Sequence, residues 1–391
     1  MTRSIAVVIA ALVAILAVIG LLTGEDGGDE GPSSVARDGP SVAVVAHGVE
    51  RVRGLQFERL PRVRHVSGAQ ARAEGLREFD RETPPAEVGG EERLLKLLEL
   101  LPPDAQLRDL LGKTLSSEVG GYYLPRTRTL SIVGEGASGG LLGEITLAHE
   151  LTHALEDQHF GIASHGATGY RRDRTTAESA LHEGTATIAM VDYALLNQLP
   201  TAKVPTALRK QALGALDKAV IPASSGLPRY VREGLVFPYA AGGRLVNRIE
   251  RRGGWTAVNR ALERPPVSTE QVMHPAKYDA GERPLRVRVR PPTGVELIEA
   301  GDIGEFDTEQ LLRAANGREH SRRAAAGWGG GGFALWRAGG DRYGLELRWV
   351  WDSARDAREF TAAARRTARR LGGAGVASSN KGVSLALAPR S

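Results

Sequence analysis

The residues with the clearest chemical reach are His149, Glu150 and His153, in the run Leu147-Ala148-His149-Glu150-Leu151-Thr152-His153-Ala154-Leu155. Two histidines four residues apart on a helix project from one face, a turn apart, so both imidazoles can ligate one Zn²⁺. Glu150 sits just behind them, where its carboxylate can take a proton from a metal-bound water whose pKa the zinc has lowered toward neutrality. With nine histidines among 391 residues, the pattern is expected by accident only about 0.02 times. Leu141, Ile145, Ala148, Leu151, Thr152 and Leu155 recur at helical spacing, which predicts a half-buried helix. The competing account, two core histidines and a surface glutamate, needs both the spacing and the helical setting to be coincidental.

A catalytic zinc site has three protein ligands and leaves a fourth position open. The next patterned segment, from Thr175 to Met190, begins with an N-cap signal, runs without proline and predicts a second helix. Glu183 is the candidate third ligand, with Glu178 and His182 as rivals. Gly184 and Ala186 beside it are small enough to let this helix approach the first closely. A glycine inside a helix costs about 1 kcal/mol relative to alanine, so Gly184 calls for a packing or functional reason. Once a metal and a base are assigned, hydrolysis still needs a donor to the developing oxyanion. His274 and Tyr278, in His274-Pro275-Ala276-Lys277-Tyr278, are candidates, against the plainer reading of a capped turn with a buried tyrosine.

Three stretches together, His149 to Phe160, Glu183-Gly184-Thr185-Ala186-Thr187 and His274 to Tyr278, resemble a set of largely uncharacterised prokaryotic zinc metallopeptidases of the gluzincin type. The resemblance spans about residues 120–278, with weaker echoes at Gly327-Trp328-Gly329-Gly330. It implies a zincin-like domain, a ligand set of His149, His153 and Glu183, and hydrolysis of peptide or protein substrates. It also implies that the strand pair predicted over 121–133 offers an edge to the substrate backbone. Thr185 departs from the pattern, which has an acid after the glycine.

Around these residues the chain predicts a mostly α fold with a small β-sheet (α+β) and a C-terminal α+β subdomain. Residues 1–24 contain an apolar run that at about 27 Å could cross a bilayer. With Arg3 on the short side and acids after the run, the expectation is a single-pass anchor in the cell membrane with the catalytic part outside the cytoplasm, or secretion after signal cleavage. Residues 25–45 read as a Gly-, Asp-, Ser- and Pro-rich linker, 46–290 as the catalytic domain and 291–391 as the subdomain. Helical patterns run through 69–82, 91–101, 104–118, 204–220 and 229–252, the last interrupted at Pro238, and Phe237-Pro238-Tyr239 and Gly253-Gly254-Trp255 mark bends. In the C-terminal part, strands are predicted at 295–298, 333–337, 343–351 and 383–387 and a helix at 353–371, with Trp336, Trp349 and Trp351 in the core.

Composition narrows the function classes. The absence of cysteine removes disulfides, thiol catalysis and cysteine-ligated metals. The net charge is +5, but the arginines are dispersed among acids, which argues against a nucleic-acid partner; Arg365-Arg366 and Arg369-Arg370 read as a solvated helix face. Gly112-Lys113-Thr114 imitates the end of a phosphate loop, but position 107 is Leu. Gly136-Ala137-Ser138-Gly139-Gly140 matches G-x-S-x-G, yet no alternating βα pattern supports a serine hydrolase using Ser138. Two classes remain: a zinc peptidase, and a catalytically silent zincin-like binding or scaffold module.

Overall fold

The computed structural model describes residues 41–117, 120–134, 140–162, 172–198, 204–218 and 226–390. The membrane assignment is corrected: among these residues no helix is long and apolar enough to cross a membrane. The run at 1–24 that suggested an anchor lies outside them, as does Ser138. The fold is mixed α and β with two sheets, one in each half of the described chain. The predicted linker also ends early, because helix α1 (Val42–Arg53) already starts at Val42 and buries Val45, Ala46 and Val49.

The first sheet has three strands in the order β1-β3-β2, with β1 (Arg62–Val66) parallel to β3 (Thr129–Val133) and β2 (Gly121–Leu124) antiparallel to it. Three helices, α2 (Gly68–Glu82), α3 (Pro85–Leu97) and α4 (Leu107–Ser117), lie between β1 and β2 in the chain, and α2 packs on β3 and on α4. Helix α2 starts at a capping box, in which the Ser67 hydroxyl accepts from the Gln70 amide and the Gln70 side chain from the Ser67 amide. The leucine-rich end of α3 is buried throughout, Leu94, Leu95, Leu97 and Leu98 included.

Helices α5 (Gly140–Phe160), α6 (Arg172–Gln198) and α8 (Arg229–Glu263) carry the central layer, with α7 (Thr206–Lys218) packed beside them. Helix α5 is enclosed from Ile145 to Glu156 rather than half-buried, because its apolar residues meet α1, the first sheet and α6. Helix α8 runs through Pro238, where a bend is expected, and breaks at the other expected bend, Gly253-Gly254, where Gly254 takes φ +63°. A left-handed residue there costs least when it is glycine.

Short helices α9 (Thr269–Met273) and α10 (Pro275–Asp279) lead to the C-terminal half. A five-stranded sheet, β4 (Glu296–Asp302), β5 (Trp328–Arg337), β6 (Tyr343–Trp351), β8 (Gly382–Arg390) and β7 (Gly375–Ser378) in spatial order, carries α11 (Glu305–Asn316), α12 (Arg318–Ala325) and α13 (Ala354–Arg370). Trp349 and Trp351 pack on Phe360 of α13, with ring centroids 4.8 and 4.4 Å apart. Trp336 lies in a separate cluster with Val289 and Ala334.

This sheet shares its core with the N-terminal half. Leu94, Leu111, Leu235, Phe333, Trp349 and Phe360 belong to one continuous apolar cluster. The start of α6 is tied to the same region, since Asp173 Oδ1 accepts from the Thr269 amide at 3.1 Å and Asp302 Oδ1 accepts from the Asp173 amide at 3.2 Å. The helix that carries Glu183 is therefore held at its N-terminus by both halves.

Candidate metal centre

The helical spacing of α5 and the crossing of α6 bring His149, His153 and Glu183 to one point. The His149 and His153 Nε2 atoms are 3.1 Å apart, and Glu183 Oε2 lies 3.2 Å from the first and 3.5 Å from the second. Three donors on a tetrahedral zinc at 2.0–2.1 Å should be separated by about 3.3 Å. The residues are 0%, 2% and 0% exposed. Among the described residues they form one of two groups of three potential ligands. The other, Glu270, Glu282 and Asp352, surrounds the Lys277 ammonium, with Nζ 2.5, 2.7 and 2.5 Å from the three carboxylates. That charge is already answered by a cation of the chain.

Electrostatics around the first group demand positive charge. Burial alone would depress His153, yet Glu183, then Glu150 and Glu156, push its pKa up to about 9. Burial would raise Glu183, but His153 and His149 bring it down to about 2. Glu150 is 0% exposed and neither oxygen has a hydrogen-bond partner. Burial raises its pKa, the two imidazoles oppose this, and the Tyr123 backbone amide pulls weakly the same way as they do. His149 Nδ1 and Glu183 Oε1 are likewise buried without partners. Buried carboxylates left unpaired are costly. A dication held by two imidazoles and a carboxylate would offset the charge of Glu183 and Glu150 together, and this hard and borderline donor set suits zinc.

The elements behind the group were not legible as site residues. Glu156, one turn beyond His153 on α5, accepts from His182 Nδ1 at 3.1 Å and faces Arg53 of α1 at 3.5 Å, with Arg53 and Glu156 fully enclosed. The Arg53 guanidinium lies 4.4 Å above the Trp255 ring and donates to Asn259 Oδ1 at 3.1 Å. Tyr239 of α8 stacks against His149 with centroids 5.9 Å apart. The proline beside it reads as a bend in the sequence and hides a helical residue facing the site.

Other candidates have different partners. Glu178 accepts from Arg174 Nε at 2.8 Å, and His182 is turned to Glu156, so neither joins His149 and His153. His274 Nε2 is 2.7 Å from Glu305 Oε1, and the Tyr278 hydroxyl donates to the Arg264 carbonyl at 3.0 Å. Neither belongs to the group at His149. The Thr185 hydroxyl bonds back to the Leu181 carbonyl at 2.8 Å, as a helical threonine does. The close approach allowed by Gly184 is made to α8, not to α5: a Cβ there would fall 2.3 Å from the Gly242 carbonyl carbon.

Strand β2 borders the site. It is an edge of its sheet, and a Cβ on Gly121 would sit 3.5 Å from Glu150 Cγ. The Val133 amide donates to the Gly120 carbonyl, so by antiparallel alternation the polar groups of Gly121 and Tyr123 face the free edge.

Comparison with known proteins reaches only the C-terminal part. Residues 294–388 match a family described as "Domain of unknown function (DUF8575)". No curated protein and no solved structure matches the chain.

Proposed function

We propose that the chain is a zinc-dependent peptidase in which His149, His153 and Glu183 hold the metal and Glu150 is the general base. The observation that carries this reading is the triangle of donor atoms, 3.1, 3.2 and 3.5 Å on its sides, with an unpaired buried carboxylate one residue from the first ligand. Bound zinc would act as a Lewis acid, lowering the pKa of water and polarising a carbonyl. Glu150 would accept the proton of the attacking water and pass it to the departing amine. The free edge of β2 would orient an extended peptide beside Glu150, with the Gly121 backbone groups and the Tyr123 carbonyl as its hydrogen-bond partners.

A second reading, a zincin-like module without turnover, has one observation in its favour. His149, Glu150 and Glu183 are 0% exposed and His153 2%, so a peptide reaches them only if covering chain moves aside. Metal analysis of the purified protein, followed by digestion of a broad peptide library, separates the two. The peptidase reading expects one zinc per chain and cleavage that stops when the metal is chelated. Stoichiometric zinc with no cleavage across the library would overturn it in favour of the silent module, and no zinc at all would overturn both.

A further inference from the structure

The segment joining α10 to the C-terminal sheet carries a run of one charge on extended backbone. From Arg283 to Val295 it contains Arg283, Arg286, Arg288 and Arg290 and no acid. It forms no strand, yet its backbone is fixed. The Leu285 amide donates to the Gly329 carbonyl at 2.7 Å. The Leu285 and Val287 carbonyls lie where Cβ atoms on Gly330 and Gly332 would come within 2.3 Å of them. The glycine run of β5 thus serves to seat this strap against the face of the sheet. A side chain at either position would lift it away.

Seated in this way, the strap alternates. Val289 is buried with Ala334 and Trp336, and Val287 is half-buried. Arg286, Arg288 and Arg290 point the other way and are exposed, as are Arg283 and, at 60%, Leu285. None of the four arginines makes an ion pair with a described residue, whereas Arg337 and Arg348 on the neighbouring strands are paired to Glu296 and Glu346. In extended chain, residues two apart are separated by about 6.6–6.8 Å. The same repeat separates alternate carboxylates on an extended acidic peptide.

We propose that this strap is a docking surface for an extended acidic polypeptide segment, whose alternate carboxylates pair with Arg286, Arg288 and Arg290 while an apolar side chain covers Leu285. The matching repeat and the row of unanswered charge favour this occupant. The guanidinium fork binds carboxylates in two parallel hydrogen bonds, and a pinned backbone presents three of them without further ordering of the main chain. The inference does not depend on the metal centre.

The test is fluorescence anisotropy of the full chain with a labelled ten-residue peptide of alternating glutamate and serine. The expected result is binding at low salt that weakens steeply as salt rises. The variant Arg286→Ala/Arg288→Ala/Arg290→Ala should bind about tenfold or more weakly, since exposed pairs each contribute modestly and add. Its melting temperature should be unchanged, because the altered side chains lie on the solvent side. Arg355→Ala/Arg358→Ala, exposed arginines on α13, should bind as the parent does. Should the triple variant fail to fold, Arg288→Gln alone should still weaken binding severalfold. No binding at low salt, equal binding by the strap variants and the parent, or tighter strap-dependent binding of anionic vesicles or single-stranded DNA than of the peptide would each overturn the proposal.

Discussion

Gly184 and Gly242 meet backbone to backbone: a Cβ on Gly184 would lie 2.3 Å from the Gly242 carbonyl carbon, and one on Gly242 would lie 1.8 Å from the Ala180 carbonyl oxygen. Helices α6 and α8 therefore cross with no side chain between them, one residue from Glu183 and three from Tyr239. Glu183, the proposed metal ligand, and the aromatic ring against His149 share one joint.

Gly184→Ala should accordingly destabilise the protein by about 1–3 kcal/mol despite alanine's better helix propensity, because the added methyl meets main chain that cannot rotate away. Gly214→Ala in α7 is the control, since a Cβ there meets nothing within 4 Å, and it should be neutral or stabilising by up to about 1 kcal/mol. Urea melts of both variants check the contrast. Equal effects would mean that the crossing relaxes freely.

The two helices that carry His149, His153 and Glu183 are readable in the sequence because their signals are local, a four-residue spacing and a long run without proline, although the cap read at Thr175 is not one, since α6 already runs from Arg172. The partners of Gly184, Glu156 and His149 are not readable there, because Gly242, Arg53 and Tyr239 lie many tens of residues away along the chain. Pro238 and Gly253-Gly254-Trp255 both read as bends, and only the second is one: the helix continues through Pro238 and breaks at Gly253-Gly254. His274 and Tyr278 have suitable chemistry, but Glu305 and the Arg264 carbonyl engage them. In the C-terminal part the period-two pattern locates β6 well, whereas the same period at 286–290 belongs to a strap that makes no ladder.

Arg53 and Glu156 test how much the enclosed ion pair beneath the site matters. Both side chains are 0% exposed, so Arg53→Met would leave Glu156 buried with only His182 as a partner. The expected loss is about 3–5 kcal/mol, the usual range when one member of a buried pair is removed. Arg53→Met/Glu156→Leu should recover part of it, because no uncompensated charge remains. A double variant less stable than the single one, measured by urea denaturation, would contradict this.

The metal-free protein should have a narrow range of best stability. His153 is raised from 6.5 to about 9, so its contribution is complete below pH 6.5 and is lost as pH rises toward 9. Glu183 is lowered from 4.5 to about 2, so its contribution is present above pH 4.5 and is lost as pH falls toward 2. Thermal melts in chelator should therefore peak between about pH 4.5 and 6.5. Zinc should raise the melting temperature most on the alkaline side, where the proton it replaces has been lost. A flat metal-free profile from pH 6 to 9 would show that the His153 and Glu183 charges do not interact in the folded chain.

Glu150 and Glu183 offer the sharpest separation of roles, since both are buried carboxylates beside the same imidazoles but only Glu183 completes the donor triangle. Glu150→Gln keeps the shape and leaves His149, His153 and Glu183 in place, so zinc content and melting temperature should stay near those of the parent. Peptide cleavage should fall about 10²–10⁴-fold, the usual cost of losing a general base. Glu183→Ala removes a donor and leaves two imidazoles, so zinc affinity and cleavage should fall together. Metal analysis after gel filtration, with cleavage assayed on the same samples, distinguishes the two. Parent-like cleavage by Glu150→Gln would remove Glu150 from the reaction, and full zinc retention by Glu183→Ala would move the third ligand elsewhere.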